Sequence, residues 1–327
     1  MQRMSRAIVI HQTGGPEVLR FENVELPSPG HSEALVRHHA IGVNFIDTYH
    51  RTGLYPLPLP TGLGTEAAGV VEAVGPGVDD LRAGDRVAYS SGPPGAYSEA
   101  RVMPAERLVK LPDEIDFETA AAMMLKGMTA EYLIRRCYRV ERGQSVLFHA
   151  AAGGVGLIAC QWLKHLGASV IGTVGSDDKA ELARRHGCSH TIVYTRESFV
   201  DRVRDITGGR RVPVVFDSVG KNTVVGSLDC LAPRGMLVSF GNSSGKPDPL
   251  DLLTLSIKGS LYVTRPTLMT YIHSREDLLE SARALFEVVS SGAVKIEIGQ
   301  RWPLSAAAEA HRALETRQTT GSSLLIP

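Results

Sequence analysis

Val146-Leu147-Phe148-His149-Ala150-Ala151-Ala152-Gly153-Gly154-Val155-Gly156 is the stretch on which the fold turns. A short apolar run enters a turn of small residues, and a helical pattern follows from Gly153 through Leu166. Glycines at such a turn let backbone approach a pyrophosphate closely. The helix start then offers unpaired N–H groups and a partial positive charge. The dinucleotide fingerprint is G-x-G-x-x-G; its first position here is Ala151, followed by Gly153 and Gly156. Taken alone, small residues at a strand–helix turn often serve packing only, so the surroundings must decide.

They do. Downstream, strand patterns at 169–174, 191–194, 212–219 and 235–241 alternate with helical patterns at 177–186, 197–206 and 223–231. Strict alternation of this kind predicts a parallel sheet with helices on both faces and right-handed crossovers, a doubly wound α/β Rossmann unit. Upstream, 6–10, 19–24, 34–43, 69–74 and 86–89 read as strands between turns such as Gly14-Gly15-Pro16 and Gly75-Pro76-Gly77. No helix of ordinary length fits before about Asp116, which predicts a β-rich unit, a partly open barrel. The tail is helical at 275–290 and 306–315 and ends in an apolar strand at 322–326. A terminal strand needs a sheet to join. The expected organisation is therefore a discontinuous β-rich domain, 1–126 with 268–327, around a Rossmann domain at 127–267.

Composition narrows the class. Lys plus Arg equals Asp plus Glu at 35 each, so no basic excess points to nucleic acid. No apolar run approaches the roughly 20 residues of a membrane span. Met1 to Ile10 reads as a short basic tip running into a strand, without the features of a secretory signal, so a cytoplasmic location is the default. Cys137, Cys160, Cys188 and Cys230 are widely spaced and form no C-x-x-C pair, which excludes a disulfide framework and a zinc knuckle.

The choice of dinucleotide rests on the second strand. An NAD site places a carboxylate at its end, on the ribose 2′-hydroxyl. Strand 169–174 ends in Gly175-Ser176 instead, and Lys179 follows within a turn of helix. An ammonium there suits a 2′-phosphate and so NADPH; a solvated helix lysine beside Asp177 and Asp178 is the plainer reading.

Gly64-Thr65-Glu66-Ala67-Ala68-Gly69 and Gly42-Val43-Asn44-Phe45-Ile46-Asp47 resemble the medium-chain dehydrogenase/reductase superfamily. Its zinc alcohol dehydrogenases read G-H-E-x-x-G and G-V-C-H-x-D there, and the His and Cys are zinc ligands. This chain has Thr65 and Asn44 at those places, and neither replaces an imidazole or a thiolate. The four-cysteine lobe of the structural zinc is also absent: 90–100 contains no cysteine. No metal site is expected. Without a Lewis acid, the easier reactions are reductions of acceptors that already take hydride readily, such as quinones and activated enones.

Within the superfamily the chain is similar to the zinc-free, zeta-crystallin-like NADPH:quinone oxidoreductase branch, over nearly its whole length. Gly14-Gly15-Pro16-Glu17-Val18-Leu19, Asn44-Phe45-Ile46-Asp47-Thr48-Tyr49, the glycine turn, Phe240-Gly241-Asn242-Ser243-Ser244-Gly245 and the closing Gly321-Ser322-Ser323-Leu324-Leu325-Ile326-Pro327 carry that resemblance. It implies a GroES-like catalytic domain beside the Rossmann domain, a homodimer paired through the edge at 260–264, and a role for each matching position. Gly153, Gly154 and Val155 would wrap the pyrophosphate. Gly175, Ser176, Lys179, Tyr194 and Arg317 would surround the 2′-phosphate. Ser218, Phe240, Gly241, Asn242, Ser243, Val263 and Thr264 would lie along the nicotinamide half, and Thr129 and Tyr132 would reach the cofactor from a helix between the domains. The run Asn44, Phe45, Ile46, Asp47, Thr48, Tyr49 would also border the cofactor. Of these, Asn44, Asp47 and Tyr49, with Tyr55, would line the acceptor pocket.

None of these residues is assigned as a proton donor. Asn44 does not titrate and so can only orient by hydrogen bonds; Asp47 fits a helix cap equally well. Three functions remain open. The first is hydride transfer from NADPH, held between the two domains, to a quinone, with solvent supplying the proton. The second is NADPH-dependent reduction of enones or 2-enoyl thioesters. The third belongs to another class: a nucleotide-holding structural or RNA-binding, crystallin-like protein, to which the balanced charge lends no support.

Overall fold

The computed structural model describes residues 3–327; Met1 and Gln2, the start of the basic tip, lie outside the described residues. The chain forms two compact units, Met1–Lys126 with His273–Phe286 and Ile296–Pro327, and Gly127–Ile272 with Glu287–Lys295.

The first unit opens with β1 (Met4–Ile10), β2 (Arg20–Glu25) and β3 (Glu33–Val43), followed by helix α1 (Phe45–Thr52). Then come β4 (Thr61–Gly62), β5 (Ala67–Val74), β6 (Arg86–Tyr89), β7 (Ala100–Pro104) and β8 (Val109–Lys110). Helix α2 (Phe117–Tyr132) begins in this unit and ends in the other. The long strand β3 organises the unit. It pairs antiparallel with β5 and β7, while β1 pairs antiparallel with β2 and β4 in a separate sheet. Inward-facing Val36, Ile41, Val43, Ala67, Val71, Val87 and Tyr89 meet in one apolar core, as period-two alternation on a half-covered sheet requires.

The second unit runs β9 (Ser145–Phe148), α3 (Gly154–His165), β10 (Ser169–Val174), α4 (Asp177–Arg185), β11 (His190–Val193), α5 (Phe199–Ile206) and β12 (Val212–Asp217). Helix α6 (Val224–Asp229), β13 (Leu231–Ser239), α7 (Leu252–Ile257), β14 (Tyr262–Thr264) and α8 (Leu268–Tyr271) complete it. Its six strands are all parallel, in the order β11-β10-β9-β12-β13-β14. The order reverses between β9 and β10 on one side and β12 on the other, and a ligand crevice opens at such a switch point, outside the carboxyl ends of the strands. Because helices cover both faces, Val146, Leu147 and Phe148 are all buried, which is why this strand reads as an unbroken apolar run.

Helix α9 (Arg275–Ser290), β15 (Ile298–Pro303), α10 (Ala307–Glu315) and β16 (Ser322–Ile326) close the chain. Strand β16 inserts between β15 and β3, pairing Leu324 with Gly42 and Ser323 with Val43, so the tail completes the first unit's sheet. The second unit extends past the expected boundary at 267 to Ile272 and takes in Glu287–Lys295 from the tail. The sequence pattern did not reveal the short strands β4, β7 and β8, nor β15 and helices α7 and α8.

Candidate functional site

In the second unit the turn after β9 is tightly made. Ala150 takes a left-handed φ of 54°, a conformation that costs a non-glycine residue roughly 1–2 kcal/mol. Gly153 caps α3 with no side-chain hydrogen bond, and no acidic residue stands in the first turn. The leading N–H groups of a twelve-residue helix are thus left for a ligand. A Cβ on Gly153 would meet only the Ala150 carbonyl, at 3.2 Å, with open space beyond; one on Gly156 would sit 2.4 Å from that oxygen and 2.7 Å from the Ala151 oxygen. One glycine leaves room for a pyrophosphate, and the other lets the helix close onto the turn. Gly154 and Val155 complete that first turn.

At the end of β10, Ser176 caps α4 by accepting from the Lys179 N–H at 3.4 Å, and the Tyr194 hydroxyl stands 2.9 Å from where a Gly175 Cβ would be. Asp177, the first residue of α4, accepts from both terminal nitrogens of Arg196, at 2.6 and 2.5 Å. That guanidinium holds the Asp177 carboxyl below its ordinary range. The charge of Asp177 is therefore paired by Arg196, which the sequence reading missed, so it opposes an anion near Lys179 less than a lone carboxylate would. Arg317 lies in the first unit just beyond α10, with a left-handed φ of 60°.

Ser218 and the 240–243 loop hold each other. Phe240 donates to the Asp217 carbonyl at 2.8 Å, and Ser243 to the Ser218 carbonyl at 3.1 Å. A Cβ on Gly241 would lie 2.5 Å from the Ser218 oxygen. Beneath them is a buried frame that the sequence did not disclose. The Asp217 carboxylate accepts from Val219 N (2.8 Å), Gly220 N (3.0 Å), Thr223 Oγ1 (2.9 Å) and Ser227 Oγ (3.0 Å). His149 joins the same Ser227 hydroxyl to Thr173, at 3.0 and 2.8 Å, and burial lowers its pKa. This frame sets the ends of β9, β10 and β12 against one another. Val263 and Thr264 lie on the edge strand β14, and Asn242 follows Gly241 in the loop. Thr129 and Tyr132 are buried on α2, where Tyr132 stacks on Tyr271 with centroids 4.4 Å apart.

In the first unit Asn44 is the N-cap of α1. Asp47, at the third helical position, accepts from the Asn44 N–H at 2.8 Å, so part of its work is capping. The same oxygen accepts from the Tyr97 hydroxyl at 2.8 Å, while its other oxygen has no partner among the described residues. Burial, opposed by these two donors and by Lys126, lifts the Asp47 carboxyl to about 7. Tyr97 meets His311 Nε2 at 3.1 Å, His311 Nδ1 meets Arg51 at 3.0 Å, and Arg51 forks onto Glu315 at 2.7 and 3.1 Å. Thr48 bonds back to the Phe45 carbonyl at 2.7 Å. Phe45 and Ile46 are half-buried, and so are Tyr49 and Tyr55, which meet edge-on with centroids 5.3 Å apart. The Thr65 hydroxyl is buried without a partner among the described residues. Glu66, also missed, is fully buried and receives the Asn44 side-chain amide at 2.8 Å.

A doubly wound nucleotide unit, together in one chain with a β-rich unit completed by the chain's own tail, defines a two-domain dehydrogenase/reductase. Residues 30–113 match the alcohol dehydrogenase GroES-like domain, and 154–284 match the zinc-binding dehydrogenase family. The quinone oxidoreductase of Pseudomonas aeruginosa is 56% identical over 325 residues, covering 99% of this chain and all of the relative. The crystal structure of Escherichia coli quinone oxidoreductase complexed with NADPH superposes with a TM-score of 0.97 at 52% identity, over 98% of this chain and 100% of that one. A 2-haloacrylate reductase from Burkholderia is 48% identical, with 99% of each chain covered. The chain belongs to the quinone oxidoreductase family of the medium-chain dehydrogenases/reductases. The open cradle at Gly153 and the cationic groups past β10 fit a phosphorylated dinucleotide.

Proposed function

We propose that this protein transfers hydride from NADPH to a quinone without a metal ion. One observation carries the reading: the donor set around Asn44. Zinc-dependent members place a thiolate and an imidazole where this chain has Asn44 and Thr65. Among the described residues no cluster of three or more His, Cys, Asp or Glu side chains is arranged to hold a metal. An amide and a hydroxyl are poor zinc ligands but good hydrogen-bond partners.

NADPH, when bound, supplies the hydride from its nicotinamide ring. Gly153, Gly154 and Val155 bind the pyrophosphate on the start of α3. Gly175, Ser176, Lys179 and Tyr194 would receive the 2′-phosphate, and Arg317 of the first unit is a candidate for the same anion, which a guanidinium suits through its fork geometry. The 240–243 loop, Ser218, Val263, Thr264, Thr129 and Tyr132 would hold the nicotinamide half, and the 44–49 run of the first unit is a candidate for the same group. Asn44, Tyr49 and Tyr55 face the acceptor, with Asp47 held behind them. Catalysis comes from proximity and from hydrogen-bond donors aimed at the developing oxyanion, with the proton drawn from solvent.

A panel of quinones and enones, assayed under one condition with NADPH and NADH, tests this. Faster turnover of quinones with NADPH is expected. Equal use of NADH, or turnover of enones alone, overturns it. The second outcome favours the other reading, reduction of α,β-unsaturated carbonyls, which the 2-haloacrylate reductase relative supports. We place the activity in the cytoplasm; among the described residues no helix is long and apolar enough to cross a membrane. We further propose a homodimer joined along β14. Tyr262 and Val263 on that edge, and Leu252, Leu253 and Ile257 on α7, are exposed apolar side chains that a partner subunit would cover.

A further inference from the structure

Glu66 sits in a seat built for its carboxylate. It accepts from the Leu125 N–H at 2.6 Å, the Asn44 Nδ2 at 2.8 Å and the buried Lys126 ammonium at 3.3 Å. The seat depends on Gly42, where a Cβ would lie 2.2 Å from Glu66 Oε2 and 2.4 Å from the Ala121 carbonyl. Stability alone does not account for such a pair, because replacing a buried ion pair with apolar residues of similar volume is often neutral or stabilising.

Accounting for the Asn44 amide shows what the seat achieves. An amide offers two N–H donors and one carbonyl. A carboxylate only accepts, so the group facing Glu66 is the nitrogen; the flipped amide would set two acceptors against each other. The amide oxygen is turned toward the Asp47 N–H in a capping-box arrangement, and that N–H also donates to the Asn44 backbone carbonyl at 3.1 Å. One N–H remains, without an acceptor among the described residues, and Asn44 is 5% exposed.

We propose that Glu66 is a positioning residue. It locks the Asn44 amide so that the second N–H is always the group presented to the acceptor oxygen, and Lys126 supplies the countercharge that keeps this lock neutral. The inference rests on the reading of Asn44 as part of the acceptor site. It assigns Asn44 as a donor to the oxyanion that hydride transfer creates. Such a contact strengthens as charge develops and so acts on kcat more than on binding of NADPH.

The test uses 4-nitrophenolate, an aromatic oxyanion whose visible absorption responds to hydrogen bonding, titrated into the NADP+-loaded protein. Glu66→Gln combined with Lys126→Met removes both charges at similar volume and leaves no unpaired buried ion. This pair is made with Asn44 intact and again with Asn44→Ala. With Asn44 intact, the paired change should weaken nitrophenolate binding about tenfold, the worth of one well-placed hydrogen bond to a charged group. In the alanine background it should change binding by less than about twofold, because coupled residues are not additive. Quinone kcat should fall in parallel while the KM for NADPH stays within about twofold. Equal weakening in both backgrounds, or none in either, overturns the proposal. Quinone turnover by a wild-type protein that does not bind nitrophenolate sinks the donor role of Asn44. Nitrophenolate binding without turnover of any quinone or enone sinks the functional reading instead and leaves the Glu66 cycle intact.

Discussion

Gly156→Ala is the substitution that most directly probes how the turn binds its ligand. The added methyl carbon would lie 2.4 Å from the Ala150 oxygen, 2.7 Å from the Ala151 oxygen and 2.8 Å from the Ala151 carbonyl carbon. All three are backbone atoms, so no side chain can swing away. Contacts below 3.0 Å are not tolerated at a real Cβ, so helix and turn must separate by at least 3.0 − 2.4 = 0.6 Å. Overpacking of this kind costs about 1–3 kcal/mol, offset by up to about 1 kcal/mol from alanine's better helix propensity. Net destabilisation of about 1–2 kcal/mol is expected in urea unfolding followed by circular dichroism. The larger effect is on the ligand. If the helix start holds the pyrophosphate as proposed, separating the turn from it also moves the N–H groups that would face that anion, and a shift of that order should weaken NADPH about tenfold or more. Titration of NADPH fluorescence against the purified variant measures it. A variant that is destabilised yet binds NADPH as tightly as wild type would refute the assignment of this turn.

Lys179→Ala and Arg317→Ala should each raise the KM for NADPH about tenfold while changing that for NADH by less than about twofold; parallel changes in steady-state assays would remove both from the 2′-phosphate. Asp47→Asn keeps an acceptor for Asn44 and Tyr97 but cannot ionise. The Asp47 pKa is raised to about 7 in the folded state from 3.8, so its contribution to stability is complete below pH 3.8 and is lost as pH rises to about 7. Urea midpoints should therefore move in favour of the variant between pH 4.5 and 7.5, on the order of one to a few kcal/mol; a pH-independent difference contradicts the shift. Purified protein dialysed against a chelator should keep full quinone turnover and carry far less than one zinc per chain by elemental analysis; stoichiometric zinc with loss of activity on chelation would end the metal-free reading.

The second unit was legible because its information is local. Apolar strands, glycine turn and amphipathic helices alternate in short segments, and Ala151, Gly153 and Gly156 stand together in the chain. The polar frames were not legible, because their members meet only through the fold. Asp217 and His149 are 68 residues apart and share Ser227; Glu66 reaches Lys126 across 60 residues, and Arg51 reaches Glu315 across 264. Each reads in sequence as an ordinary surface polar residue. Two local signals were available in hindsight. Gly42 inside a buried strand marks the approach of the Glu66 carboxylate, and a glycine in a strand interior often marks just such a contact. The spacing of Asn44 and Asp47 is that of a capping box, which fixes Asp47 facing the helix start before any pocket is considered.

The chain of bonds from Glu315 inward looks at first like a proton path from the surface to Asp47, and its chemistry argues otherwise. Arg51 can only donate, so it occupies His311 Nδ1 and forces the ring proton onto Nε2. Nε2–H then donates to the Tyr97 oxygen, and Tyr97 donates to Asp47. To pass a proton inward, His311 would have to take one at Nδ1, the atom that Arg51 already covers with a positive charge. Burial and that same guanidinium hold the His311 pKa down to about 3, which closes the route at neutral pH. The chain instead acts as a fixed row of dipoles, each pointing its proton toward Asp47, and it ties α10 in the tail to the start of α1. Arg51→Met should therefore destabilise the fold by about 1–3 kcal/mol, because His311 Nδ1 is left buried without a donor while half-exposed Glu315 turns to water, and the solvent isotope effect on quinone turnover should stay unchanged. A changed isotope effect in the folded variant would restore the proton path.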